Sequence, residues 1–281
     1  DAFMSSITPK LLKPGDKIML VAPARFASPD AIKDAASAVL AAGFTPVIPP
    51  ELDARYHQFA GSDSHRAHHL NSAFLDQSIR AVFALRGGYG SGRLLPLLDS
   101  SAYIADPTWI IGFSDITALH SWSTNLGISS LHAPVASTLS STLPSDIDAI
   151  WSILRGEFEI NSKVKVTGGN LSVLYSLLGT PYFPNVSESY LFLEDIDEYL
   201  YHIDRMFLAF KLAGVFENAE GLIVGTFSDL RDNTISDGQT VDNPFGLDLR
   251  EIISSYVPSD YSVKYDNPMG HGERNYPLVL G

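Results

Sequence analysis

Hydrophobic residues along this chain come in short runs separated by amphipathic stretches, and the alternation is regular through the first half. Lys17 to Ala22 (KIMLVA) predicts a buried strand. A helix is expected from Pro29 to Ala42, with Ser28 as its cap, Pro29 in its first turn and Gly43 as its stop. Phe44 to Ile48 reads as a second strand. Ser62 or Asp63 opens a polar helix in which Ala67, Leu70 and Phe74 share one face. Ala81 to Leu85 reads as a strand, and the turn RGGYGSGRLL leads into a helix around Arg93 to Leu98. Thr108 to Ile111 predicts a strand that passes through a turn at Gly112 to Ser114 into a helix ending near Thr124. Strands and helices alternating at this spacing imply parallel βαβ units and a doubly wound sheet.

The pattern then changes. Ser137 to Ser162 reads as a connection carrying one helix, Asp146 to Leu154. A Gly-Gly-Asn turn follows, then a helix (Leu171 to Leu178), a strand (Tyr190 to Leu193), a helix (Tyr201 to Ala213), a strand (Gly221 to Val224) and a loop-rich tail. The expected architecture is α/β: an N-terminal doubly wound parallel-sheet domain over residues 1–135, a linker over 136–165, and a smaller mixed α/β C-terminal domain over 166–281. A length of 281 residues suits two cores better than one.

Composition narrows the function. The net charge of −13 argues against a nucleic-acid partner, which needs a basic footprint. The absence of cysteine removes disulfides, thiolate metal sites and the cysteine nucleophile of an amidotransferase-like enzyme. No apolar run is long enough to cross a bilayer, so no membrane partner is expected. The start, DAFMSSITPK, lacks the basic-then-apolar pattern of a secretory leader, and its initial Asp suggests a trimmed terminus.

Four segments could carry chemistry. In Gly112-Phe113-Ser114-Asp115 a strand turns into a helix, which presents Ser114 as a nucleophile and the Asp115 N–H as an oxyanion donor. The segment resembles a nucleophile elbow, although Ile116 stands where G-x-S-x-G has its second glycine. The plainer reading is a helix cap at Ser114 or Asp115. In Arg86-Gly87-Gly88-Tyr89-Gly90 the glycines let backbone approach a ligand, so Gly87 or Gly88 could lend a second oxyanion N–H. The spacing is not that of a dinucleotide fingerprint, and a tight turn would explain it equally.

Among the histidines, His65, His68 and His69 fall on the polar helix, His57 in a loop, His120 and His202 within helices, and His132 at a strand end. Only His271, in Pro268-Met269-Gly270-His271-Gly272, sits between glycines in a loop, a position suited to a base but also to an incidental surface residue. Leu191-Phe192-Leu193-Glu194-Asp195 ends a hydrophobic strand in two acids, either of which could orient an imidazole. Glu198 and Asp204 compete, with first-turn acids of the next helix as their plain reading. A serine, a carboxylate and a histidine, each at a turn, together form the constellation that acyl transfer requires.

RGGYGSGRLL, GFSDITALH, GGNLSVLYSLLGTP, LFLEDIDEYLYHIDRMFLAFKLAG, VGTFSD and NPMGHG, in that order, resemble the successive signature blocks of the LD-carboxypeptidases. The resemblance covers most of the chain from about Leu11 and implies a serine peptidase. Its nucleophile would be Ser114, its charge-relay acid Glu194 rather than Glu198, and its base His271, with an oxyanion hole from the backbone of Asp115 and the Gly87-Gly88 turn. It further implies release of D-alanine from murein tetrapeptide during peptidoglycan recycling, a cytoplasmic location, a homodimer, and no metal or cofactor. A carboxypeptidase must also bind a free carboxylate. Arg86, Arg93 and Arg205 are candidates for that contact, and Tyr89 and Gly87 for substrate contact. Between Phe158 and Gly168 the chain is shorter than the family pattern, and it stops at Gly281 where members continue. Two rival readings are a microcin-immunity-type peptidase, whose nucleotide-stacking aromatic would be Tyr182, Phe183 or Phe245, and a non-catalytic binding protein on the same scaffold.

Overall fold

The computed structural model describes residues 6–157, 164–233 and 243–281. Strands β1 (Lys17–Val21), β2 (Thr45–Val47), β3 (Ile79–Ala84), β4 (Trp109–Gly112) and β5 (Ser130–His132) run parallel in the order β5-β4-β3-β1-β2. Every residue of β3 is buried, as in a sheet covered on both faces. Its alternate side chains explain how. Phe83 faces α1 (Pro29–Ala41) and joins their core, while Val82 and Ala84 face α2 (Asp63–Leu75), α3 (Ser100–Ala105) and α4 (Thr117–Asn125). Helix α5 (Pro144–Arg155) packs Ile150, Trp151 and Leu154 into the α1 face. Ser28 and Ser62 cap α1 and α2 by accepting from the N–H groups of Ala31 and His65.

A second sheet holds β6 (Lys165–Asn170), β7 (Ser189–Ile196), β8 (Gly221–Ser228) and β9 (Ser262–Lys264), parallel and in chain order. One face, with Leu191, Leu193, Leu222 and Val224, packs against α6 (Leu171–Leu177), α7 (Leu200–Leu212), α8 (Val215–Asn218) and α9 (Leu249–Tyr256). The other carries Val166, Phe192 and Ile223, which meet Met269 and Leu280. Leu280 lies in β10 (Leu278–Leu280), which runs antiparallel along β5. One short strand thus extends the first sheet and closes the inner face of the second.

Several sequence expectations change. The turn after Gly90 leads into a 3₁₀ helix, Ser91–Leu97, rather than an α-helix from Arg93 to Leu98; Pro96 inside it lacks an N–H to continue α-helical bonding. Gly-Gly-Asn is the end of β6 and not a turn. The tail expected to be loop-rich holds α9, β9 and β10, and the short α3 had no clear periodic signal. The unusually short stretch after Phe158 falls largely outside the described residues. No helix of the described residues is long and apolar enough to cross a membrane.

Gly168 and Gly169 carry φ of +134° and +137° inside β6. A Cβ at 168 would collide with the Phe192 carbonyl, and one at 169 would lie 2.5 Å from Thr117 Oγ1 at the start of α4. Gly169→Ala is expected to destabilise the fold by about 3 kcal/mol or more, roughly 6–12 °C in Tm. A calorimetric scan of the variant beside the parent protein checks this, and an unchanged Tm would mean that β6 and α4 meet less tightly at Thr117.

Candidate active site

The turn that presents Ser114 is built by what β4 lacks. A Cβ on Gly112 would lie 2.9 Å from Ile116 Cγ1 and 3.2 Å from Ala84 Cβ, so the chain can fold back this tightly only at glycine. Ser114 then takes φ +62°, a left-handed conformation costing a side-chain-bearing residue about 1–3 kcal/mol. It is half-buried, and a 3₁₀ turn, Ser114–Ile116, leads from it into α4. Gly87 lies against the serine: a Cβ there would be 3.3 Å from Ser114 Cβ. Among the described residues, neither Gly87 nor Gly88 donates its N–H to another group of the chain.

Two buried side chains fix this glycine loop, and sequence reasoning missed both roles. The Asp115 carboxylate accepts from Ser91 N at 2.8 Å, and its carbonyl accepts from Ser91 Oγ at 2.6 Å. Burial raises its carboxyl above the ordinary range, against the Ser91 and Gly90 donors and the Arg66 charge that lower it. Arg66 donates to the carbonyls of Pro23 (2.6 Å) and Gly90 (3.0 Å) and pairs with Asp63. Its place on the α2 face beside Ala67 and Leu70 gave no sign of this.

On β7, period-2 alternation puts Leu191 and Leu193 toward the helices and Phe192 toward the first sheet. Glu194 follows Phe192 to that inner side, where the pairing of β7 with β8 shifts register at a bulge. There it is fully buried and its Oε2 lies 2.7 Å from His271 Nδ1. His271 Nε2 lies 3.0 Å from Ser114 Oγ. With a proton on Nδ1 donated to Glu194, Nε2 is free to accept from the serine hydroxyl. Burial opposes a charge on His271, but the Glu194 hydrogen bond and the charges of Glu194 and Asp195 outweigh it and raise its pKa above 6.5.

Asn170 ties these parts together. As the cap of α6, its Oδ1 accepts from Val173 N (3.1 Å), while its Nδ2 donates to Glu194 Oε1 (3.2 Å) and Asp195 Oδ1 (3.1 Å). Its own N–H reaches Thr117 Oγ1 at 2.9 Å. Asp195, on the helix side of β7, also accepts from Ser172 N at 2.9 Å, and burial together with the Glu194 charge pushes it up to about 7. The His271 loop hangs from α5: buried Asp146 accepts from Arg274 Nε (2.9 Å) and Asn275 N (3.0 Å), and Asn275 Oδ1 accepts from Gly270 N (3.1 Å). An asparagine before a helix is a legible cap; the Asp146 contact, more than 120 residues away in sequence, left no local signal.

The remaining candidates lie apart from this arrangement. Glu198 pairs with His202 at 2.8 Å, and Asp204 accepts from Tyr256 OH at 2.6 Å. His120 is buried behind β4, with Nε2 2.8 Å from Gly112 O, and burial pushes it down to about 4. His132 is buried among Phe113, His120 and Phe192, which lowers its pKa strongly. His65 and His69 bond the carbonyls of Glu51 and Pro50, His68 lies beside His69, and His57 meets the Tyr56 ring edge-on. The described residues hold no group of three or more His, Asp or Glu side chains suited to a metal. Arg93 is held by Asp63 at 2.9 Å, Arg205 lies over the Tyr201 ring, and Tyr89 is exposed beside Phe59. Arg86 stays half-buried next to Gly87, and its hydrogen bond among the described residues is a 3.4 Å contact to Phe26 O.

The profile of the LD-carboxypeptidase N-terminal domain matches residues 18–133, and that of the C-terminal domain matches residues 163–281. The chain belongs to the LD-carboxypeptidase family. A Synechocystis sp. protein whose name carries a provisional carboxypeptidase assignment is 31% identical over 98% of this chain and 92% of its own length. The murein tetrapeptide carboxypeptidase of Pseudomonas aeruginosa is 27% identical over 94% and 91%. Two solved structures share the fold. The muramoyltetrapeptide carboxypeptidase of Oxalobacter formigenes has a TM-score of 0.79 and 24% identity, with 94% of this chain and 92% of that one covered. The microcin C7 self-immunity protein MccF in its apo state has a TM-score of 0.82 and 21% identity, with 98% and 94% covered. This LD-carboxypeptidase-family chain is therefore a peptidase of the hydrolase class.

The Glu194 contact makes the titration of His271 a direct probe of the site. In imidazole NMR spectra His271 is expected to titrate above 6.5, and Glu194→Gln should move its midpoint down, because burial then faces less opposing charge. An unmoved midpoint would mean that the 2.7 Å contact does not persist in solution.

Proposed function

We propose that the protein is a serine-type LD-carboxypeptidase that releases terminal D-alanine from murein tetrapeptide. The observation that carries this reading is the continuous arrangement Ser114 Oγ, His271 Nε2 at 3.0 Å, and His271 Nδ1 to Glu194 at 2.7 Å, in a chain of this family. In the reaction, Ser114 Oγ attacks the carbonyl that precedes D-alanine while His271 Nε2 takes the hydroxyl proton. Negative charge gathers on the carbonyl oxygen, where the N–H groups of Asp115 and Gly88 are available as donors. Collapse breaks the C–N bond, and His271 returns its proton to the departing amine. Water, deprotonated by the same imidazole, then hydrolyses the ester to free Ser114. Glu194 keeps the imidazole in the right tautomer and stabilises its cation throughout. By family resemblance the setting is recycling of murein peptides in the cytoplasm.

The microcin-immunity reading gains nothing from the aromatic residues that could have favoured it. Tyr182 packs against the α2–α4 core, while Phe183 and Phe245 pack against the core of the second sheet.

Incubating the protein with murein tetrapeptide and with an all-L analogue tests the reading. D-alanine is expected from the tetrapeptide alone, and Ser114→Ala should lower kcat at least about 10³-fold without loss of fold. Because the base must be neutral, kcat/KM should rise with pH and reach half its plateau above pH 6.5. Turnover retained in Ser114→Ala would overturn the assignment.

A further inference from the structure

At the carboxyl edge of the first sheet, strand order reverses between β1 and β3, the point where open α/β sheets form their ligand crevice. Arg25 follows β1 and Arg86 follows β3, so the pairing of these strands brings the two arginines to the same edge. The stem of Arg25 lies across the glycine loop: a Cβ on Gly88 would be 3.0 Å from Arg25 Cβ. Arg86 is half-buried and reaches Phe26 O, the residue next to Arg25, and both burial and the Arg25 charge lower its pKa.

Neither guanidinium meets a carboxylate among the described residues, although the chain carries 32 acids against 19 Lys and Arg. Arg66, Arg80, Arg93 and Arg274 all have acid partners. Two neighbouring guanidiniums with no counter-ion repel each other, and an anion between them relieves that repulsion. Their planar donor forks suit a carboxylate.

Position decides which carboxylate. Strands β4, β3 and β1 are successive neighbours, so Ser114, the Gly87-Gly88 loop and Arg25 follow one another along the edge. Adjacent strands are about 4.8 Å apart, and one residue spans about 3.5 Å. A single residue leaving from Ser114 across Gly87-Gly88 therefore ends its own carboxylate near the arginines. We propose that Arg86 and Arg25 together bind the free carboxylate of the terminal residue and so restrict the enzyme to releasing one residue. The proposal rests on the carboxypeptidase reading above and separates Arg86 from the other two cations considered for this contact.

The test compares tetrapeptide ending in D-alanine with the same peptide ending in D-alaninamide. The parent protein should prefer the acid by about 100-fold or more in kcat/KM, and Arg86→Met should lower that preference about 10- to 100-fold, chiefly through KM. The amide, lacking the charge, serves as the internal control and should lose much less than the acid in each variant. Arg86→Lys should restore part of the preference, and Arg25→Met, at an exposed position, should reduce it without endangering the fold. Labelling of Ser114 by a fluorophosphonate checks that each variant keeps its site; if Arg86→Met does not label, Arg86→Lys and Arg25→Met decide. An acid-to-amide ratio unchanged in the labelled variants overturns the two-arginine site alone. A parent protein that releases neither D-alanine from the acid nor D-alaninamide from the amide overturns the carboxypeptidase reading and the proposal with it.

Discussion

The contact between Glu194 and His271 is the one on which the site depends, because it joins a fully buried carboxylate to an imidazole that reaches the serine of the other sheet. A carboxylate without solvent is costly unless hydrogen-bonded or paired, and here Asn170 and His271 supply the partners. The surrounding structure serves that pairing. Gly169 lets β6 press against Thr117, Thr117 holds the Asn170 backbone, and Asn170 passes the constraint to Glu194. From Glu194 the bonds run through His271 to Ser114 and along the chain back to Thr117, closing a ring across the two sheets.

Ser114 sits in a strained conformation that its neighbours hold in place. Gly112 permits the fold-back, Asp115 and Arg66 pin the glycine loop beside it, and Phe113 packs its ring 4.7 Å from that of His271. Buried acids are thereby used for two different ends. Glu194 meets a group that can become cationic, whereas Asp115 and Asp195 meet mainly neutral donors, and burial raises the pKa of both. An acid beside a cation supports charge movement, while an acid among neutral donors serves to hold backbone in place.

Local patterning made much of this legible. Apolar runs marked β1, β3 and β4, serine caps marked α1 and α2, and Ser114 at its strand-to-helix turn and His271 between two glycines stood out as residues able to do chemistry. The choice of Glu194 came from the family resemblance, and the geometry gives a physical reason for its place: strand parity sends it inward and Asp195 outward. Where the reading failed, local signals described a different context. Gly-Gly-Asn looks like a turn because glycines usually mark one, yet here they allow a strand to touch a helix. The last ten residues lack periodicity because β10 is only three residues long.

By itself, then, the sequence determined the strands β1, β3 and β4, the helices α1 and α2 and the residue types available for acyl transfer, since hydrophobic period and capping act over a few residues. Tertiary structure alone decided that Ser114 and His271, 157 positions apart, would meet at 3.0 Å. It also decided that Asp146 would hold the histidine loop and that Arg25 would stand beside Arg86 with no carboxylate partner among the described residues. Those relations arise from which strands become neighbours and how closely two sheets can approach, and nothing in the periodicity of a local segment encodes them.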